Sequence, residues 1–267
     1  MKLCFSTLGC VEKSLEDILA LAQKHDMDAI EIRGVNGVLN NGEIADFSEE
    51  NATKTKKAFT ESGVRPLVLG TSCAFHTKEK QEAAMIEGRE AILIASRLGF
   101  PYIRVFGNNI LPEAREESIA RVCEGIAALC DFAKDKSVNI LLEVHADFNT
   151  VDALAPVLKA LGSYENFGLI WDVMHSHRGC GLNWVPFYET IRPYIRHVHL
   201  KDITSDGTRV ATGDGEIPLL PIVDRLLADG YDGYFSLEWE RKWKPHLAPI
   251  EEALARYLDL LAERIAR

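Results

Sequence analysis

The sequence predicts a parallel α/β barrel, a single (β/α)₈ domain of the TIM type spanning residues 1–267. Three observations carry that expectation. Short, near-continuous apolar runs recur along the 267 residues, each followed by a longer helical pattern, and eight such units can be counted. Strands that are apolar on both faces and alternate with helices belong to a parallel sheet covered from outside. The length suits one closed barrel, which runs to roughly 250 residues. Neither a GxGxxG after the first run nor a phosphate-binding P-loop is present, so an open dinucleotide-binding sheet has no local support.

Each unit has its own signals. "KLCFST" (2–7) precedes the helical pattern 14–25, which Ser14 can cap. "DAIEIR" (28–33) precedes a helix that Ser48 can cap and Gly63 can end. "RPLVLGTSC" (65–73) leads to a helix over 78–98 ended by Gly99, and "YIRVFGN" (102–108) to one over 112–136. "NILLEVH" (139–145) precedes "TVDALAPVLKAL", and "FGLIWDVMH" (167–175) precedes a weaker helical stretch at 183–191. "RHVHLKD" (196–202) is followed by a loop containing "GDGEIP" and a helix over 217–229. "GYFSLEWE" (233–240) precedes a closing helix over 248–265. No linker or low-complexity tract divides the chain.

Composition narrows the partners. Hydrophobic residues make up 47%, charged residues 26%, and the net charge is −10. An acidic surface repels phosphate backbones and anionic lipid, so neither nucleic acid nor membrane is an expected partner. The basic run at 54–57 is short and reads as a solvated helix face. No run of 18 apolar residues and no leader-like segment occurs. The six cysteines form no C-x-x-C pair and read as free thiols of a cytoplasmic protein.

In a parallel barrel the C-terminal ends of the strands share one mouth, and that mouth holds the site. The second strand ends in Glu31 and Arg33, the third runs on to His76, and the fourth ends in Gly107 and Asn108. Then four consecutive strands each deliver an ionisable group at the corresponding place: Glu143, Asp172, His199 and Glu238. Unpaired, such groups are costly to bury, and converging carboxylates repel. A divalent cation resolves both problems, and imidazole with carboxylates suits Mn²⁺, with Co²⁺, Mg²⁺ or Zn²⁺ as alternatives. His175 follows Asp172 in what reads as a loop. Lys201 lies in the same mouth and reads as a substrate contact, as do His76 and Asn108. His177 and His197 read as structural or solvated, and Glu240 and Asp202 as salt-bridge or hydrogen-bond partners. Alternation puts His197, His199 and Lys201 on one face and Ser236, Glu238 and Glu240 on one face, without saying which faces look inward. Trp171, Trp184, Trp239 and Phe106 offer either an apolar wall for a sugar ring or core packing.

"LLEVH", "IWDVMH", "HVHLKD", "GDGEIP" and "LEWE", in that order, resemble the sugar-phosphate isomerase/epimerase group of the xylose-isomerase-like TIM barrels. The resemblance covers essentially the whole chain. It implies Glu143, Asp172, His199 and Glu238 as metal ligands, Glu143 and Glu238 as the acid/base pair, and His175 as a contact to a substrate oxygen. It implies a metal-dependent isomerase or epimerase of a keto sugar or polyol, free or phosphorylated, in a homo-oligomer such as a dimer or tetramer. The ketose 3-epimerases of the group place an arginine a few residues after the seventh-strand histidine, whereas this chain has Lys201, Asp202 and only later Arg209. "HLKD" is closer to the inosose dehydratase type, which makes a metal-dependent lyase the alternative. A DNA-repair nuclease of the endonuclease IV type is a minor alternative. Its further histidines are missing from "VFGNN" and "GDGEIP", and the acidic charge opposes it.

Overall fold

In a computed structural model of the chain, which describes residues 1–265, eight parallel strands close into a barrel. They are β1 (Lys2–Ser6), β2 (Ala29–Ile32), β3 (Arg65–Ala74), β4 (Tyr102–Phe106), β5 (Asn139–Glu143), β6 (Phe167–Asp172), β7 (Ile195–Leu200) and β10 (Tyr234–Leu237), with β8 (Asp202–Ile203) and β9 (Arg209–Val210) forming a separate antiparallel hairpin. The expected eight-stranded architecture is therefore the observed one. The last two residues of the expected 1–267 domain lie outside the described residues. Chain contacts gather into two compact units, Met1–Leu67 with His197–Arg267, and Val68–Arg196.

In the first unit, β1 pairs with β2 and β10, and β10 with β7. Its helices are α1 (Leu15–Lys24), α2 (Ala52–Ser62), α8 (Leu219–Ala228) and α9 (Ile250–Ile265). Ser14 caps α1 by accepting from the Asp17 N–H at 3.1 Å, as its position in the sequence suggests. Gly63 ends α2 in the left-handed region at φ 69°. Ser48, however, does not cap α2. The helix starts at Ala52 with Asn51 as its N-cap, three residues after Ser48, and Ser48 accepts from the Asn51 N–H at 3.3 Å in the preceding turn.

In the second unit, β3 pairs with β4, β4 with β5, and β5 with β6. Around them run α3 (Gln81–Leu98), α4 (Arg115–Ala133), α5 (Val151–Leu161), α6 (Val173–Cys180) and α7 (Trp184–Ile191). All six residues of β6 are buried, which is why "FGLIWD" shows no alternation. Burying side chains such as Ile140 and Leu169 stabilises the fold by roughly 1.5–3 kcal/mol each. Helix α6 departs from expectation, because the sequence around His175 reads as a loop. Asp172 is the N-cap of α6, and its Oδ1 accepts from the Met174 and His175 N–H groups at 3.0 Å each. A strand-end aspartate can thus start a helix at once, without a connecting loop.

Candidate active site

The first unit gathers a buried polar cluster from two of its strands. Glu31 on β2 and His197 and His199 on β7 are all buried. Both imidazoles meet one oxygen of Glu31, Oε2, through their Nε2 atoms, at 3.2 Å from His197 and 2.8 Å from His199. Burial alone would raise the Glu31 pKa, but the two imidazoles outweigh it and hold the carboxyl far below the usual carboxylate range. Burial also holds His197 below its ordinary pKa, against the pull of Glu31, so it is neutral at pH 7 and donates from Nε2.

That bond fixes the roles of His199. With Nε2–H given to Glu31, the neutral imidazole keeps its lone pair on Nδ1, which faces Glu238 Oε2 at 3.6 Å. Alternation left the inward faces open, and the structure decides them: Lys201, on the His199 face, donates to Glu238 Oε2 and, at 3.2 Å, to Glu240 Oε1. Arg209 Nε on β9 donates to Glu240 Oε2 at 2.7 Å. Asp202, one residue on, turns away and accepts backbone N–H groups from Gly213 and Gly215 at 3.0 Å and from Ile217 at 3.2 Å. A Cβ on Gly215 would sit 2.2 Å from Asp202 Oδ1, so the second glycine of "GDGEIP" is there to let the backbone approach.

The second unit holds a parallel arrangement. Arg104, inside the apolar strand β4, reaches Glu143 Oε2 with Nη1 at 3.2 Å and donates Nη2 to the Thr71 carbonyl at 3.1 Å. Its guanidinium lies 4.4 Å from the Phe106 ring centroid, Phe106 packs against His145 at 5.0 Å, and His145 against His175 at 4.0 Å. One donor atom from each of Glu143, His145 and His175 lies within 4.8 Å of the others. Gly107 admits this packing, since a Cβ there would meet the Phe148 ring at 2.3 Å. Asn108 follows in the left-handed region at φ 56°. His76 is half-buried near Lys80 and Arg121, and burial first, then those cations, lower its pKa. Trp171 is buried and stacks on Tyr188 at 5.3 Å, and Trp239 is buried with its N–H on the Ala248 carbonyl. These two tryptophans pack the core rather than forming a sugar-binding wall.

The family model for xylose isomerase-like TIM barrels matches residues 19–263. The chain belongs to this family. Among curated relatives, an inosose dehydratase of Serratia proteamaculans is 27% identical over 165 residues, covering 54% of this chain and 54% of that protein. A fructoselysine 3-epimerase of Escherichia coli O157:H7 is 27% identical over 153 residues, with 54% coverage of each. The chain thus spans little more than half the length of the curated relatives it matches. Among solved structures, the IolI protein with a bound zinc atom shares the fold at a TM-score of 0.79 and 23% identity, covering 98% of this chain and 99% of that one.

As a member of this family the chain can be asked whether its donors fit an ion. In the first unit, the 3.6 Å between His199 Nδ1 and Glu238 Oε2 is too long for a hydrogen bond. It suits two donors of one ion: bonds of about 2.1 Å opened to about 120° put their ends about 3.6 Å apart. Imidazole and carboxylate together are also the donor chemistry of first-row divalent metals. Among the described residues no helix is long and apolar enough to cross a membrane, and all six cysteines are free thiols. Sequence reasoning named Glu31 only as a strand end and passed over Arg104. Arg104 left a signal, a guanidinium in the middle of the apolar run "YIRVF"; Glu31 gave none beyond its place on β2.

Proposed function

We propose that this chain is a divalent-metal-dependent enzyme that moves a proton on a keto sugar or related polyol, as an epimerase or isomerase. Glu143, Asp172, His199 and Glu238 hold the ion, for which Mn²⁺ is the first choice, and Glu143 and Glu238 are the acid–base pair. The observation that carries the reading is a repeated arrangement: Glu143 is paired with buried Arg104, and Glu238 with buried Lys201. A cation beside a buried carboxylate favours the ionised form, which is the form that accepts a proton.

When bound, the ion polarises a carbonyl and stabilises the negative charge that develops next to it. The chain's own residues do the rest. One of Glu143 and Glu238 removes the proton α to the carbonyl, leaving a planar enediolate. The other returns a proton to the opposite face, or to the neighbouring carbon. His175, Lys201, His76 and Asn108 contact substrate oxygens, and Phe106, lying against Arg104 and His145, supplies an apolar surface.

A dehydratase is the second reading, favoured by Lys201: an ammonium beside Glu238 is a proton source for a departing β-hydroxyl, and inosose dehydratase is among the relatives. Assaying D-fructose, D-tagatose and an inosose for loss of water separates the readings, because only water loss yields a conjugated enone that absorbs in the ultraviolet. Glu143→Gln and Glu238→Gln should each slow solvent-deuterium exchange by about 10²-fold or more. Exchange at the parental rate in either variant removes that residue from proton transfer.

A further inference from the structure

Glu143 and Glu238 are each paired with a cation, but the two cations are held differently. Arg104 presents a rigid planar fork that is itself tied to the Thr71 carbonyl at 3.1 Å, so one residue suffices to fix Glu143. Lys201 is a point charge on a flexible four-carbon stem, and a lone lysine would hold a carboxylate loosely. Here it is not alone. Glu240 takes a second bond from its ammonium at 3.2 Å, and Arg209 takes up the other Glu240 oxygen at 2.7 Å. The side chains of Lys201, Glu238, Arg209 and Glu240 are 2%, 3%, 7% and 14% exposed, so little water screens the chain. Its two cations and two carboxylates alternate in sign.

Arg209 is carried by the hairpin of β8 and β9, where Ile203 pairs with it in register. The hairpin is rooted beside the site, because β8 begins at Asp202, immediately after Lys201, and Asp202 anchors the following loop by its backbone N–H groups. A mainly backbone-held hairpin thus feeds an ion pair back to the start of its own first strand. Without Arg209, Glu240 would be a half-satisfied carboxylate competing with Glu238 for the same ammonium.

We propose that Arg209, Glu240 and Lys201 are a positioning chain that fixes the Glu238 carboxylate, so that the hairpin Asp202–Val210 sets how well Glu238 binds the ion and transfers a proton. This rests on the reading of Glu238 as ligand and as half of the acid–base pair. Arg209 touches Glu240 and acts only through it.

The test uses the full chain in four variants, Glu238→Gln, Arg209→Gln, Arg209→Lys and Glu240→Gln, with the double variant of Arg209→Gln and Glu240→Gln. Three readouts are taken: Mn²⁺ affinity by calorimetry, kcat and KM for solvent exchange into the best keto sugar of the panel, and the melting temperature of the metal-free protein. Arg209→Gln should weaken Mn²⁺ binding by about threefold to tenfold and lower kcat by about tenfold, with KM within about threefold of the parent. Arg209→Lys should recover most of both losses, and the double variant should be no worse than Glu240→Gln alone, as links of one chain require. Parental kcat and Mn²⁺ affinity in Arg209→Gln and Glu240→Gln, with Glu238→Gln inactive, overturn the chain and leave the acid–base reading intact. Additive losses that track the melting temperature, without recovery in Arg209→Lys, also overturn it. Parental exchange in Glu238→Gln instead removes the acid–base reading on which the inference stands.

Discussion

Glu31 receives two imidazoles on a single oxygen, and this bond decides which nitrogen of His199 keeps its lone pair. An acceptor behind a ligating histidine typically changes metal affinity by 10–100-fold, roughly 1.4–2.7 kcal/mol. Glu31→Gln keeps the shape but removes the charge, and calorimetry with Mn²⁺ should show affinity falling by about tenfold or more; unchanged affinity contradicts the tautomer argument. At this scale the sequence was legible where position alone sufficed. Glu240 and Asp202 both make the polar contacts their places at the strand ends suggested. His197 is buried rather than solvated, and its partner lies 166 residues away on β2, a distance no local pattern bridges. Arg104 and Glu143 illustrate the same limit, since their contact is made by neighbouring strands in register, Arg104 opposite Leu141 and Phe106 opposite Glu143.

Secondary-structure elements place these groups through their ends. Asp172 closes β6 and caps α6 with Oδ1, so one carboxylate oxygen sets where the helix carrying His175 begins. The helix was missed in the sequence because "VMHSHRGC" has a weak apolar pattern, and the cap that starts it was read as a site residue instead. Asp202 organises the loop after β7 in a similar way. Asp202→Ala would take the acceptor from the N–H groups of Gly213, Gly215 and Ile217, the first two in part-buried bonds and the third in a buried one. The cost should be about 1–3 kcal/mol in urea unfolding, given about 1 kcal/mol or more for a buried donor left unpaired and less where water can replace the acceptor. A loss below about 0.5 kcal/mol would mean the loop does not depend on Asp202. The hairpin of β8 and β9 was invisible in the sequence, because two-residue strands carry no periodicity.

For the whole molecule, the barrel was the most legible feature. Eight apolar runs with helices between them are a global regularity that survives errors of a few residues at each boundary, such as the late start of α2. The acid response is a property of the same scale. His25 and His76 both have pKa values lowered from 6.5, chiefly by burial and then by neighbouring cations. Because the folded state binds their protons more weakly, the unfolded chain takes up more protons as pH falls below 6.5, and stability declines from there. Glu251 is shifted down despite its burial, by hydrogen bonds and by Lys13, so its contribution is present above 4.5 and is lost on further acidification. Urea unfolding should therefore show stability level near pH 7 and falling below pH 6.5; a rise on acidification contradicts these signs.

The central claim is that acidic side chains and an imidazole from consecutive strands hold one divalent ion. Equilibrium dialysis of the metal-free chain against Mn²⁺ tests it most directly. Saturation at a single ion per chain is the predicted result, with binding lost in Asp172→Ala and in His199→Ala while both variants stay folded by circular dichroism. No saturable binding, or the same binding in the folded variants as in the parent, would contradict it.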